Sequence, residues 1–120
     1  MQEIQLGVIE ARYADMIWER EPVTSSELVK LTAVEFNWKR TTAHNVLRRL
    51  CDKGLFQNDN GVVTSVISRE EFYSLQSRKY VEDSFDGSLP AFIAAFTKGK
   101  PLTEEETEEI RRIIDGRREV

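Results

Sequence analysis

The 120-residue chain is poor in the residues that staple or interrupt small proteins, with one cysteine, three prolines and six glycines. A lone thiol, Cys51, excludes an internal disulfide framework and a multi-thiolate metal site. The sole histidine, His44, lies seven residues away on the same expected helix, so no metal tetrad can form within the chain and no metal or other cofactor is expected. Scarce Gly and Pro exclude a collagen-like or low-complexity chain. Long apolar runs are also missing. The longest uncharged apolar stretch, Leu89 to Thr97, falls well short of the roughly 18 residues a membrane span needs, so no membrane insertion is expected. The opening segment has no apolar core of the signal-peptide kind, and the expected location is cytoplasmic. A Gly-rich phosphate loop and a nucleophile motif are both absent. No catalytic residue is assigned, and the chain is not expected to be an enzyme.

What is present suits a helix-rich globular protein, with 40% hydrophobic and 32% charged residues. The net charge of −4 argues against a nonspecific nucleic-acid coat. The charges are unevenly placed, however. Residues 36–56 carry Lys39, Arg40, Arg48, Arg49 and Lys53 against Asp52 alone, whereas residues 67–120 carry nine basic and twelve acidic side chains. A basic island therefore sits in an acidic chain.

Three segments pair a hydroxyl residue with Glu three positions later: Thr24 with Glu27, Ser68 with Glu71, and Thr103 with Glu106. The hydroxyl caps an orphan N–H and the carboxylate reaches back, which marks a helix start. Val23 with Leu28 and Ile67 with Phe72 add hydrophobic staples to two of them. Upstream, Leu6, Ile9, Tyr13, Met16 and Ile17 recur at helical spacing from Gly7 until Glu21-Pro22 stops the helix. A second helix is expected from about Ser25 to Ala33. A third is expected from about Thr41 to Lys53, closed by Gly54. Leu55–Asn58 and Val62–Ile67 flank Asp59-Asn60-Gly61, a strong hairpin signal. After Ser68 the pattern is helical, broken at Gly87-Ser88 and again at Lys98-Gly99-Lys100-Pro101.

On the third helix Ala43, Val46, Leu47, Leu50 and Cys51 form one apolar stripe. Thr41, Thr42, Asn45, Arg49 and Asp52 lie opposite, with Arg48 and Lys53 at the borders. Arg pairs bidentately with guanine and Asn with adenine, so this face has the side chains that read base edges. A solvated surface helix is the plain alternative for such a face. Three helices followed by a hairpin, the layout of a winged helix–turn–helix, favour reading. His44 and Cys51 are expected to be packing residues, and Glu104–Glu109 to be favourable charge at a helix N-terminus. The apolar side chains after Ser68 exceed what a short helical tail can bury. Packing back on the winged helix is one outlet for them, and an interface with a second copy is the favoured one.

In this order and spacing the chain resembles the penicillinase-repressor family, the BlaI/MecI/CopY-type regulators. The matching pieces are Leu6-Gly7 with Glu10-Ala11, Ile17-Trp18-Glu19, Val23-Thr24 with Glu27-Leu28, Trp38, Thr42 with Leu47 and Arg49-Leu50, and Lys53-Gly54-Leu55. They continue through Ile67-Ser68 with Glu71, Gly87-Ser88-Leu89 with Phe92 and Ala95-Phe96, and Leu102-Thr103 with Glu105-Glu106 and Glu109-Ile110, spanning about residues 6 to 115.

The resemblance implies a mainly α protein, with a winged-helix DNA-binding domain over residues 1–67 and a helical dimerisation domain over residues 68–120. It implies a homodimeric, sequence-specific repressor on a palindromic double-stranded operator. Base reading would fall to Thr41, Thr42, Asn45, Arg48 and Arg49. Phosphate contacts would come from Thr24, Ser25, Ser26, Lys39 and Arg40. Dimerisation would use Phe72, Leu75, Tyr80, Val81, Phe85, Leu89, Phe92, Ile93, Phe96, Ile110, Ile113 and Ile114. A membrane sensor-protease, the trigger in some relatives, would cut at Ala95–Phe96. The copper-responsive branch uses several C-terminal cysteines, so copper sensing is not expected with Cys51 alone. The wing, residues 54–67, contains no Lys or Arg. That feature and the acidic pI suit a second reading, a winged helix that contacts proteins without binding DNA.

Overall fold

The computed structural model describes residues 6–118. Its elements are α1 (Val8–Arg20), β1 (Val23–Thr24), α2 (Ser25–Phe36), α3 (Arg40–Asp52), β2 (Phe56–Asp59), β3 (Val62–Ser65), α4 (Arg69–Phe85), α5 (Leu89–Gly99) and α6 (Glu104–Gly116). The strands form one antiparallel sheet in the order β1-β3-β2. The fold is thus mainly α, a winged helix–turn–helix followed by C-terminal helices. The chain divides into two compact units, one up to Ser77 and one from Arg78.

Local chemistry explains most boundaries in the first unit. Thr24 Oγ1 accepts from Glu27 N at 3.1 Å and starts α2. Gly54, with φ 86°, closes α3 in a Schellman arrangement. Its N–H reaches Cys51 O at 3.0 Å, and Leu55 N–H reaches Leu50 O at 3.1 Å. Leu50 and Leu55 are both fully buried, which supplies the apolar contact that accompanies this cap. Asn60 and Gly61 both take positive φ between the paired residues Asp59 and Val62, as a two-residue type I′ hairpin loop requires.

Two boundaries differ from the sequence expectation. The hairpin gains a third strand, because Val23 and Thr24 pair with Val63 and Val62. A two-residue strand has no period of its own to read, and only its distant partner creates it. Helix α2 runs one turn past Ala33 to Phe36, where Asn37 adopts the left-handed conformation (φ 55°, ψ 39°). Packing extends it: the Phe36 ring lies 4.8 Å from that of Trp38 and beneath the Arg12 guanidinium.

The core joins Tyr13, Ala14, Met16 and Ile17 of α1 to Leu28 of α2 and to Val46, Leu47 and Leu50 of α3. Leu55, Phe56 and Val63 close it from the sheet side. Phe72, expected on the pairing face, belongs here as well. It is 3% exposed and its ring lies 5.5 Å from Trp18. A ring already withdrawn from water has no surface left to offer a second copy.

In the second unit Tyr80, Phe85, Phe92 and Phe96 form a chain of ring contacts with centroids 5.4 to 6.1 Å apart. Ser88 Oγ caps α5 by accepting from Ala91 N at 3.1 Å. Thr103 and Glu106 make the full reciprocal capping box of α6, with bonds of 3.1 and 3.0 Å. No described residue of this unit is buried.

Candidate nucleic-acid interface

Helix α3 is held from one side only. Ala43, Val46, Leu47 and Leu50 are buried, while Thr41, Thr42, Asn45, Arg48 and Arg49 are exposed. The buried stripe therefore fixes the helix and leaves the polar residues outward. Tyr13 adds a directional tie, its hydroxyl donating to Ala43 O at 3.4 Å. Its ring meets Trp38 edge-on at 5.4 Å, so α1 also braces the turn between α2 and α3. His44 is half-buried beside the stripe. Cys51 is half-buried too, and burial pushes its thiol pKa up, away from nucleophilic thiolate character.

The cations divide. Lys39 and Arg40 are exposed at the start of α3, where Lys39 supplies no side-chain cap to the first turn. Arg48 and Arg49 are exposed in the second half of the helix. Among the described residues no ion pair holds any of these four. Lys53, counted with them in the sequence, is taken out of the set. Its Nζ lies 3.3 Å from the Glu10 carboxylate of α1. Burial works against the charge on Glu10. The Gly7 N–H, Lys53 and the more distant Arg49 outweigh it and hold its pKa below the usual carboxylate value.

The start of α2 offers less than its sequence suggests. The Thr24 hydroxyl is engaged in the cap, and Ser25 is half-buried with its N–H donating to Gly61 O at 2.8 Å. Ser26 is exposed. The contact from Ser25 anchors the wing tip against α2. Within the wing, Gln57 Nε2 donates to Thr64 Oγ1 at 3.2 Å, and Asn58 Oδ1 accepts from Gly61 N at 2.9 Å. Two of its amides therefore stabilise the hairpin, and its one charged side chain is Asp59.

Of the other residues singled out in the second half, Tyr80, Leu89, Ile93, Phe96, Ile113 and Ile114 are exposed. Leu75, Val81, Phe85, Phe92 and Ile110 are half-buried. Exposure of this many large apolar side chains is uncommon on a lone soluble domain. The Ala95–Phe96 bond lies inside α5 with both residues exposed. A protease takes its substrate extended, so cutting there requires local unwinding of α5.

A group the sequence did not single out surrounds Trp18. Its Nε1 donates to Ile67 O at 3.1 Å, and Asp15 of α1 contacts both Arg69 and Tyr73 of α4. The visible signal was Trp18 itself, a large aromatic with one polar atom to satisfy. Among the described residues no group of acidic, histidine and cysteine side chains could hold a metal ion, and no helix is long and apolar enough to cross a membrane.

A family model described as penicillinase repressor matches residues 6–116. The chain is similar to the penicillinase repressor of Bacillus licheniformis, with 22% identity over 115 residues that cover 92% of this chain and 90% of the relative.

Proposed function

The chain belongs to the penicillinase repressor family, and from that premise we propose that it represses transcription as a homodimer seated on a palindromic operator. Members of the family are transcription regulators that bind DNA, not enzymes. In this reading the winged helix, residues 1–67, lays the outward face of α3 in the major groove of one half-site. Thr41, Thr42, Asn45, Arg48 and Arg49 meet base edges there. Lys39, Arg40 and Ser26 meet phosphates, with smaller parts for Thr24 and Ser25. Residues 68–120 pair the two copies through the exposed apolar side chains of α5 and α6 in the cytoplasm. Release follows when a membrane sensor-protease cuts Ala95–Phe96 after α5 unwinds.

The observation that carries the reading is the one-sided burial of α3 beneath an exposed row of hydroxyl, amide and guanidinium groups. The acidic remainder of the chain suits a selective binder, because it disfavours nonspecific adhesion to the polyanion. The test is a gel shift with the DNA upstream of the protein's own gene at two salt concentrations. A sequence-selective shift that weakens steeply with salt is expected. No selective shift at either salt would favour a winged helix that contacts proteins.

A further inference from the structure

The first turn of α4 is gripped by α1 at three separate points. The Ile67 carbonyl, just before the Ser68 cap, accepts from Trp18 Nε1 at 3.1 Å. The Phe72 ring is buried against Trp18. Arg69 and Tyr73, four residues apart and so on one face of α4, both close on Asp15. Arg69 Nη2 donates to the Asp15 backbone carbonyl at 3.0 Å and lies 3.5 Å from Glu19 Oε1. Arg69 Nε lies 3.2 Å from Asp15 Oδ1, a charge contact without the alignment of a hydrogen bond. The Tyr73 hydroxyl donates to the same carboxylate at 3.2 Å. One anchor would leave α4 free to pivot on leaving the winged helix. Three anchors hold residues 67–73 against α1 within the first unit.

We propose that the Asp15–Arg69–Tyr73 clamp is a positioning device that restricts which separations between operator half-sites this protein accepts. The inference rests on the dimeric reading above. Two readers joined through residues beyond Ser77 engage both half-sites only if each leaves its groove in the right direction, and the direction is set where α4 starts. None of the three residues lies on the reading face of α3. The clamp can therefore be loosened without touching base or phosphate contacts. A clamp that only stabilised the fold would lower affinity for every duplex alike. A positioning clamp changes the ranking of duplexes.

The experiment uses the full chain. Wild-type protein first selects a preferred inverted repeat from a random duplex library. Affinities are then measured by fluorescence anisotropy on duplexes whose half-sites are moved by one to five base pairs, and on a duplex with a single half-site. For the wild type, the preferred separation should exceed its neighbours by about tenfold or more, since avidity depends on both sites being reachable at once. In the double variant Arg69→Ala/Tyr73→Phe the same profile should flatten to within about threefold, with single-half-site binding and dimer sedimentation unchanged. The milder Arg69→Lys keeps the charge but loses the planar fork, and should flatten the profile in part. An unchanged separation profile in the double variant would overturn the proposal. So would loss of its single-half-site binding, which would assign the clamp to the reader's fold. Failure of the wild type to select any inverted repeat would instead remove the dimeric reading on which the clamp's role depends.

Discussion

The Tyr13 hydroxyl donates to the Ala43 carbonyl across 3.4 Å of buried interior, tying α1 to the first turn of α3. Burial raises the phenol's pKa above its ordinary value, so the group stays a neutral donor at any physiological pH. The bond is long, and Ala43 lies within a helix that can satisfy its carbonyl without Tyr13. Tyr13→Phe should therefore cost only about 0.5–1.5 kcal/mol of stability. Tyr13→Ala also removes the ring that packs on Trp38, and should cost about 3–5 kcal/mol. Urea unfolding midpoints measure both, and a Tyr13→Phe midpoint equal to wild type would show that the hydroxyl adds nothing to the seating of α3.

Glu10 supplies a pH-dependent part of stability. Its folded pKa is depressed, so its contribution is complete above the ordinary carboxylate value and is lost as pH falls through the folded value. Glu10→Gln should thus lower stability at neutral pH by about 0.5–1 kcal/mol, allowing for partial solvent screening of the Lys53 pair. The difference should shrink as pH falls from the ordinary carboxylate value through the lower folded one, below which Glu10 is neutral like the glutamine. Thermal unfolding at neutral and acid pH measures it, and a gap that persists in acid would mean that packing, not charge, is what Glu10 contributes.

These two contacts also mark where sequence reading stopped. Cap chemistry is local, so Thr24 with Glu27, Ser68 with Glu71 and Thr103 with Glu106 could be located from spacing, and each hydroxyl takes the expected N–H. The Asn60-Gly61 turn and the buried stripe of α3 were legible for the same reason. Pairings across the chain were not. Lys53 looks like one more cation of the basic island until α1 brings Glu10 beside it. Phe72 looks like one more apolar residue of a pairing helix until Trp18 covers it. Strand β1 exists only because β3 lies alongside. The residues of the candidate interface were nameable because an exposed helical face has a period, and the clamp on α4 was missed because its parts lie more than fifty residues apart.

Base-reading and phosphate-binding residues should separate in their signatures. Asn45→Ala and Arg49→Ala should each weaken operator binding by about 1–3 kcal/mol and relax the preference at one base position. Lys39→Ala and Arg40→Ala should weaken binding evenly across sequences and reduce the salt slope by about one unit each. Anisotropy titrations over a salt series, against the operator and its point variants, distinguish the two patterns. An Arg49→Ala protein with the wild-type affinity and preference would remove that residue from the reading face.

The apolar surface of α5 gives the sharpest test of assembly. Phe96 is 57% exposed and Ile93 is 40% exposed on this helix, and withdrawing the exposed part of each from water is worth roughly half of the 1.5–3 kcal/mol that full burial of such a side chain contributes. Phe92 stands differently: its ring contacts Tyr80, Phe85 and Phe96 within the protomer. A charge at Ile93 should therefore act on pairing with little effect on the protomer, a charge at Phe96 removes one ring contact there, and a charge at Phe92 should disturb protomer and pairing alike. Ile93→Asp and Phe96→Asp are each expected to sediment as folded monomers that keep single-half-site affinity and lose avidity for the full operator. Phe92→Asp should in addition lose ellipticity or unfold at lower temperature. Sedimentation, circular dichroism and anisotropy on the same samples separate these outcomes. A dimer that persists in both Ile93→Asp and Phe96→Asp would move the interface off α5 and onto α6, where Ile113 and Ile114 are comparably exposed.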